Sequence, residues 1–246
     1  MKRIFFFAAL LLAAVPSHAQ MMQSITNDVH HSGGAAFTTF DPSNDLWHVT
    51  LSGGNLTATN ATCTAGTGYA FCGARGTSPT THGGTDKVYF EATVSSPADN
   101  HIAIGFQSGS YVPSGAFSII GFDSNSDSVG YDASTNAAAI AGTTFGTWSV
   151  CNPIPGINIV GIAIDFGTKL IWERCWTGSA WSNWNNNASA DPVAEVLGNS
   201  FSALSGTSPY YIGMGGNTAG DSVTINVGAT SFAGSGSPPT GYSAWH

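Results

Sequence analysis

The sequence GINIVGIAIDF at residues 156–166, followed by KLIW at residues 169–172, contains the strongest fold signal in the chain. Apolar residues alternate along the first stretch, which is the pattern of a β-strand. One face of that strand carries Val160, Ile162, Ile164 and Phe166. The other face holds Ile159, Gly161, Ala163 and Asp165, so we expect a central strand covered on both sides. Gly167-Thr168 separates the two stretches, which predicts an antiparallel hairpin.

The same alternation recurs on both sides of the hairpin. Lys87–Val94 places Val88, Phe90, Ala92 and Val94 on one face, and His101–Phe106 repeats the pattern. Further candidate strands are Leu46–Leu51, Asn55–Thr59, Phe117–Phe122, Ser128–Asp132, Tyr210–Met214 and Asp221–Val227. Turn-forming residues separate them, and no long window has a helical period. We therefore predict an all-β fold, a single two-sheet antiparallel β-sandwich over residues 41–246, preceded by a loosely held arm at residues 20–40.

The amino-acid composition argues against several classes of protein. Charged residues make up 8% of the 246 residues, and the formal net charge is −8 with six Lys plus Arg. Surface helices are rich in charged residues, so this scarcity argues against helical bundles and coiled coils. Six scattered cations cannot form the basic cluster that binds nucleic acid. The hydrophobic fraction of 42% is too high for a disordered polar chain.

The first nineteen residues have the pattern of a secretory signal peptide. Lys2-Arg3 precedes the apolar run Ile4–Val15, and Ser17-His18-Ala19 forms a small-x-small cleavage site. The run is too short for a stable membrane span, which needs about 20 apolar residues. We expect a secreted chain, extracellular or periplasmic, that starts at Gln20 and carries four cations against fourteen acids, a net charge of −10.

If the chain is exported, its four cysteines are in an oxidising compartment. An even number in an oxidising compartment favours disulfides over metal ligation, and four cysteines allow three pairings. We favour Cys63–Cys72, which closes a short Gly-rich loop. We also favour Cys151–Cys175, because the predicted hairpin brings Cys175 beside the start of its first strand. No CxxC pair occurs, so zinc is the weaker interpretation.

Several motifs, in order along the chain, resemble SPRY domains. Tyr89-Phe90-Glu91 with IAIGF at residues 102–106 is similar to the "WYFEV…IGV" opening of that family, and VGYD at residues 129–132 is similar to its "WGYD" segment. The 156–172 stretch resembles the family hairpin "GDVIGVALDLDAGTLWF". The WNNN and ADP segments at residues 184–187 and 190–192, and the ending at residues 221–245, resemble bacterial and phage members.

This resemblance, which runs from about Leu46 to Trp245, implies a concanavalin-like bent β-sandwich that acts as a binding module without catalysis. The cysteines and the Thr144–Trp148 segment are not general family features. Binding residues of eukaryotic SPRY domains are therefore not transferred to this chain.

An enzyme is the main alternative, because sandwiches of this class include glycoside hydrolases. Those enzymes need two carboxylates on either side of the scissile bond. No glutamate here is followed two residues later by an aspartate, so the ExDxxE pattern is absent. Asp165 and Glu173 lie on adjacent predicted strands and are the remaining pair, although solvent-facing strand residues are the simpler interpretation. No G-x-S-x-G elbow occurs either, and we predict no catalytic residues.

Cofactors and metals have little support. Asp123–Asp127 begins like a calcium loop, but Ser128 stands where an EF-hand needs Gly and Ser134 where it needs Glu. A hairpin turn is the simpler explanation. We predict no cofactor and no metal site, and a weak calcium site stays open.

Aromatic residues form the best candidate ligand site. Trp176, Trp181 and Trp184 follow the hairpin and are separated by Gly, Ser and Asn, and Tyr111 and Trp148 lie in other polar connections that could join the same rim. Indole faces beside amides and hydroxyls suit sugar C–H faces or peptide side chains. The alternative is that these indoles pin a long loop to the sandwich.

The sequence thus favours a secreted, non-catalytic module that binds a protein or a glycan through its loops. The alternatives are a glycan-active enzyme, such as a glycosidase or lyase, and a subunit of an extracellular assembly whose strand edges make chain-to-chain contacts. We expect no nucleic-acid partner and no membrane span. Asn55, Asn60 and Asn187 occupy N-x-S/T triplets, whose glycosylation the sequence leaves open.

Overall fold

A computed structural model describes residues 37–43, 48–61, 63, 72–77, 86–96, 102–111, 120–122, 127–132, 137–140, 142–147, 156–204, 209–234 and 236–245. The chain divides into two units, residues 1–36 and 37–246. The first unit contains the expected signal peptide and lies outside the described residues. In the second, Thr38 and Phe40 are already fully buried, so the sandwich begins before the boundary at residue 41 that the sequence suggests.

The described residues form fourteen strands and no α-helix. In chain order the strands are β1 (Val49–Ser52), β2 (Thr57–Asn60), β3 (Cys72–Arg75), β4 (Lys87–Ser96), β5 (Ile102–Ser108), β6 (Ser128–Asp132), β7 (Ala137–Ile140), β8 (Thr143–Thr147), β9 (Gly156–Asp165), β10 (Leu170–Trp176), β11 (Asn199–Ser200), β12 (Tyr210–Gly216), β13 (Ser222–Asn226) and β14 (Ser243–Ala244). A single 3-10 turn covers Trp184–Asn186. The predicted all-β class is confirmed.

The strands belong to two sheets. The large sheet has the order β1-β2-β13-β4-β9-β10-β11, and β14 pairs in parallel with β4. The small sheet has the order β3-β12-β5-β6-β7-β8. Every other strand pair is antiparallel. This is the two-sheet antiparallel sandwich that the alternating strands predict.

The inner faces of the two sheets make the main core. Val160, Ile162 and Ile164 of β9 and the following Phe166 are buried there, as their alternation predicts. Phe106 of the small sheet contacts Phe166, Phe201 and Tyr210, with ring centroids 5.2–5.7 Å apart. Burying these rings removes a large apolar area from water, which is the main favourable contribution to folding.

A second apolar cluster covers the outer face of the large sheet, meaning the face turned away from the main core. It contains Tyr89, Ala163, Trp172, Ala190, Phe232 and Tyr242. The sheet residues come from β4, β9 and β10, and the others come from the segments after β10 and β13. Strand β9 is therefore covered on both sides, as its sequence predicts.

The hairpin β9–β10 turns through residues 166–169. Asp165 Oδ1 accepts hydrogen bonds from the backbone N–H groups of Gly167 (2.8 Å) and Thr168 (3.1 Å). Lys169 has a φ of +56°, which closes the turn at a residue other than glycine. The register pairs Cys175 with Val160, the fifth of the ten residues of β9, and not with the start of that strand.

Disulfides tie the sandwich together. Cys63 and Cys72 form the bond that the sequence favours. Cys175 is also disulfide-bonded, and its favoured partner Cys151 lies outside the described residues.

No helix in the described part of the chain is long and apolar enough to cross a membrane.

Candidate functional site

The register of the large sheet brings side chains from five strands into one row on its outer face. Thr57 is opposite Thr224, Thr224 opposite Thr93, Thr93 opposite Ile159, and Ile159 opposite Trp176. Directly opposed residues point to the same face of a sheet. The row therefore runs across the strands from three hydroxyls, through one aliphatic side chain, to an indole.

A groove of about 320 Å³ lies over the middle of this row. Its floor includes Thr93, Ile159 and Thr224, and its wall is the segment after β13, residues 229–233. The complete lining comprises Leu56, Glu91, Thr93, Ile159, Thr224, Ile225, Asn226, Ala229, Thr230, Ser231 and Ala233. A concave site with an apolar floor and a few polar groups is the usual form of a small-ligand site.

Glu91 is a buried carboxylate at one side of the groove, only 3% exposed. It accepts hydrogen bonds from the Tyr89 hydroxyl (2.8 Å) and from the Ala233 backbone N–H (3.0 and 3.1 Å to its two oxygens). Burial raises the pKa of Glu91, and these hydrogen bonds partly offset that rise. The carboxylate thus fastens the wall of the groove to strand β4.

Arg174 and Glu91 lie in one cross-strand row on either side of strand β9, because both residues are opposite Gly161. Its guanidinium is held between the indoles of Trp181 and Trp184, 4.1 and 4.2 Å from their ring centroids. Arginine stacks well on aromatic faces. Its positive charge lowers the pKa of Glu91, opposing the effect of burial. We call Glu91, Arg174, Trp181 and Trp184 the Arg174 cluster.

Trp176, Trp181 and Trp184, which the sequence suggests as a ligand site, do come together. Trp176 and Trp181 are in edge contact, with ring centroids 5.3 Å apart. The Trp181 indole N–H donates to the Ala233 carbonyl oxygen (3.2 Å), and Trp184 contacts Tyr89. All three are half-buried. In this structure they hold a loop to the sheet, which is the alternative that the sequence analysis leaves open, and ligand contact by them stays a prediction.

Of the other two candidate aromatics, Tyr111 does not join the cluster. Tyr111 follows β5 of the small sheet and is buried. Trp148 lies outside the described residues.

Hydrogen bonds hold the long connection after β10 to the sheet at several points. The Trp172 indole N–H donates to the Val196 carbonyl oxygen (2.9 Å), and the Tyr242 hydroxyl donates to the Pro192 carbonyl oxygen (3.1 Å). Asn185 donates to the Leu197 carbonyl oxygen (2.9 Å). The connection ends in an apolar tip that exposes Val193, Val196 and Leu197 by 42–52%.

The carboxylate pair that the enzyme alternative requires does not form. Asp165 lies on the outer face opposite Leu170, where its carboxylate is 3.4 Å from Lys87. Glu173 is opposite Ile162 and points into the main core, fully buried. Two carboxylates on opposite faces of one sheet cannot flank a common substrate. The hypothesis that Asp165 and Glu173 act together is therefore wrong.

Other sequence motifs have clear positions. Asn60 is buried and donates its amide N–H to the Thr218 carbonyl oxygen (3.1 Å). Asn55 is half-buried and Asn187 is exposed. Of the suggested calcium loop, only Asp127 is described, and no cluster of three metal-ligating side chains occurs among the described residues.

The groove residues were not predicted from the sequence. Thr93 and Thr224 lie in strands it predicts, and alternation assigns them to the outer face. The signal that was lacking is the pairing of β13 with β4. Only that pairing places the two hydroxyls side by side.

Solved structures resemble this fold. The crystal structure of the TRIM65 PSpry domain matches with a TM-score of 0.50 and 12% identity, covering 78% of this chain and 92% of that one. The crystal structure of the SPRY domain of human HERC1 matches with a TM-score of 0.49 and 11% identity, covering 76% and 96%. No family model matches the chain. No curated protein matches it in sequence. The structural match shows a SPRY-type β-sandwich.

Proposed function

We propose that this SPRY-type sandwich is a secreted, non-catalytic binding module that holds its ligand in the groove on the outer face of the large sheet. The groove is the observation that carries the proposal. Its floor is a hydrogen-bonded sheet, and its wall is fastened by Glu91. A site that is already formed before binding loses little conformational freedom on binding.

The side chains in the groove support binding rather than catalysis. Among the described residues that line it, Glu91 is the one with an ionisable side chain. Its carboxylate already accepts hydrogen bonds from Tyr89 and Ala233. Glycoside hydrolysis by the usual routes needs a second carboxylate beside the scissile bond. The lining offers hydroxyls and an amide instead, which orient a ligand without activating it.

The order of the sequence motifs supports assignment to the SPRY family, of the bacterial or phage type. The signal-peptide pattern at residues 1–19 supports secretion. Residues that bind ligands in other SPRY domains are not carried over to this chain.

The experiment is a combined glycan and protein array probed with the purified chain and with a groove-filling variant. Thr93→Trp places an indole on the floor, and strands accept aromatic residues. We expect an array ligand whose signal falls by about tenfold or more in this variant, equivalent to about 1.4 kcal/mol. Thr59→Trp is the matched control, since Thr59 lies on the same face, half-buried, outside the groove.

Two results would contradict the proposal. One is a ligand that Thr93→Trp binds as well as the wild-type chain does, which would place the site elsewhere. The other is a complete absence of array ligands for a folded wild-type chain.

A second candidate function is a subunit of an extracellular assembly. The observation that favours it is the apolar tip, Val193, Val196 and Leu197, which hydrogen bonds hold in place. Exposed apolar patches mark protein contacts. Sedimentation velocity tests it: assembly predicts large species that Leu197→Ser dissociates, whereas a monomer at every concentration rules it out.

A further inference from the structure

We propose that the ligand of this groove is a neutral oligosaccharide, recognised by the hydroxyls of Thr224 and Thr93 and by the apolar floor at Ile159, with Thr57 next to Thr224 outside the lining. This inference rests on the proposed function and specifies its ligand class. Four properties of the groove support it: the spacing of its hydroxyls, their hydrogen-bonding capacity, its local charge and its apolar surface.

The hydroxyls stand side by side on neighbouring strands. Thr57, Thr224 and Thr93 are directly opposed in register on β2, β13 and β4. Adjacent strands lie about 4.8 Å apart, so the row presents hydroxyls at regular short intervals on a rigid surface. The Thr57 and Thr224 hydroxyls are 2.8 Å apart and hydrogen-bond each other. The row therefore matches a ligand that carries several hydroxyls on one side.

The hydroxyls of the row can both donate and accept hydrogen bonds. Each hydroxyl is one donor and two acceptors. The Thr57–Thr224 bond uses one proton of the pair, so one donor and several lone pairs remain. Thr230 and Ser231 add two more hydroxyls on the wall. A phosphate or carboxylate ligand needs donors only and an ammonium group needs acceptors only, whereas sugar hydroxyls both donate and accept.

The local charge is balanced. Glu91 is the one ionisable residue of the described lining, and it is buried and hydrogen-bonded. Arg174 lies in the same cross-strand row and opposes its negative charge. The groove thus has no uncompensated charge for an ionic ligand to pair with. The negative net charge of the whole chain also repels acidic glycans.

The apolar surface lies between the hydroxyls and an indole. Ile159 follows Thr93 in the row, and Trp176 follows Ile159. Ala229 and Ala233 face the floor from the wall. A pyranose ring has polar edges and apolar C–H faces, and both aliphatic and aromatic side chains pack against such faces. The row therefore offers hydroxyls at one end and apolar side chains at the other, which suit the polar edge and the C–H face of a sugar ring.

A peptide fits this site less well. Extended peptides bind domains of this kind by adding a strand to a sheet edge, where backbone N–H and C=O groups are open. This groove crosses the face of the sheet, where the backbone groups of β13, β4 and β9 are already paired with one another. Only side chains are presented, which favours the glycan.

The test is isothermal titration with soluble neutral hexose and N-acetylhexosamine oligosaccharides. Thr93→Val and Thr224→Val each remove a hydroxyl and keep the β-branched shape, so the sheet is retained. We expect each to weaken binding by about three- to tenfold, the effect of one lost hydrogen bond. Thr59→Val, on the same face outside the groove, leaves the affinity unchanged.

Two comparison arms test the charge argument. We expect sulfated and uronic-acid oligosaccharides to bind more weakly than their neutral counterparts. The affinity for the neutral ligand is expected to change by less than about twofold between low and high salt, because no ion pair forms.

Two outcomes overturn the inference. If Thr93→Val and Thr224→Val bind neutral oligosaccharides as well as Thr59→Val does, sugars bind elsewhere. If only a peptide or protein binds, and Thr93→Trp abolishes that binding, the ligand class is wrong while the proposed function of the groove is retained. A groove to which neither class binds overturns both.

Discussion

Glu173 shows how a single position in a strand fixes the chemistry of a side chain. Alternation along β10 turns Glu173 toward the main core, between Ile171 and Cys175. Neither carboxylate oxygen has a hydrogen-bond partner in the described structure. Desolvation raises the pKa of Glu173 to about 8. At neutral pH the group is therefore mostly a neutral acid within the sandwich.

This burial predicts how stability depends on pH. The pKa of Glu173 is 4.5 in the unfolded chain and about 8 in the folded protein, so folding takes up a proton between these values. The free energy of unfolding should therefore fall as pH rises from about 4.5 to 8, by at most about 1.4 kcal/mol per pH unit from this residue. Glu173→Gln should remove this contribution. Urea unfolding at several pH values measures it.

The control for this prediction is Glu195→Gln. Glu195 is exposed and its side chain pairs with Lys87 at the surface. We expect its pH profile to follow that of the wild-type chain. Parallel profiles for Glu173→Gln and the wild-type chain would show that Glu173 is not buried as described.

Arg174 is the other residue whose surroundings define its role. Because its guanidinium lies between two indoles, Arg174→Lys exchanges a planar cation for a compact one that stacks poorly. We expect a stability loss of about 1–2 kcal/mol and a red shift of tryptophan emission, as Trp181 and Trp184 become wetter.

Arg174→Met is the variant to compare with Arg174→Lys, because it separates the effect of the charge from that of the side-chain stem. It keeps an unbranched stem over the indoles and removes the charge near Glu91. If the cation is what matters, Arg174→Met destabilises the protein at least as much as Arg174→Lys. Unchanged melting temperatures in both variants would contradict the role of the cluster.

At the scale of elements, a row of glycines shapes the small sheet. Gly213, Gly105 and Gly130 are opposed in register on β12, β5 and β6. The segment Ile120–Phe122 packs directly against this sheet, and a Cβ atom on Gly130 would overlap the Ile120 carbonyl oxygen. The absence of side chains in the row lets the backbone approach closely.

Gly130→Ala is therefore expected to destabilise the fold, by about 1–3 kcal/mol, because the Ile120 carbonyl must move. Gly109→Ala is the matched control, since its Cβ would meet Tyr211 at an ordinary 3.4 Å. Thermal unfolding followed by circular dichroism measures both. Equal melting temperatures for the two variants would contradict the close packing.

Elements with strong alternation could be predicted from the sequence, and those without it could not. The predicted strand Ser128–Asp132 coincides with β6, and Lys87–Val94 falls two residues short of the end of β4. Strands β3, β7, β8, β11 and β14 were not predicted, and the described end of the predicted strand Phe117–Phe122, residues 120–122, is a turn. The sequences of β3 and β7 are CGAR and AAAI. Glycine and alanine have low strand propensity, so these strands form because their neighbours in the small sheet pair with them.

At the scale of the whole molecule, a disulfide connects the two sheets. Cys63 follows β2 of the large sheet, and Cys72 begins β3 of the small sheet. The bond closes a short loop, with a sequence separation of 9. Such a crosslink stabilises a fold chiefly by restricting the unfolded chain.

The double variant Cys63→Ala/Cys72→Ala should lose about 2–3 kcal/mol of unfolding free energy, the amount expected for a loop of this length. Urea unfolding under oxidising conditions measures the change and leaves the bond at Cys175 intact. A variant as stable as the wild-type chain would contradict this role of the disulfide.

The sequence by itself determined the all-β class, the central hairpin and the favoured disulfide between Cys63 and Cys72, because alternation and short cysteine spacing are local signals. It also brought Trp176, Trp181 and Trp184 into one candidate group, since they are close in the chain. Only the tertiary structure decided that Glu173 points inward and that Arg174 occupies the indole faces.

The groove likewise depends on the tertiary structure, because Thr224 and Thr93 meet only when β13 pairs with β4 across a long stretch of chain. Local alternation fixes which face of a strand a side chain takes. Which strands become neighbours is decided by packing the whole core, and that choice brought the hydroxyls of the groove together.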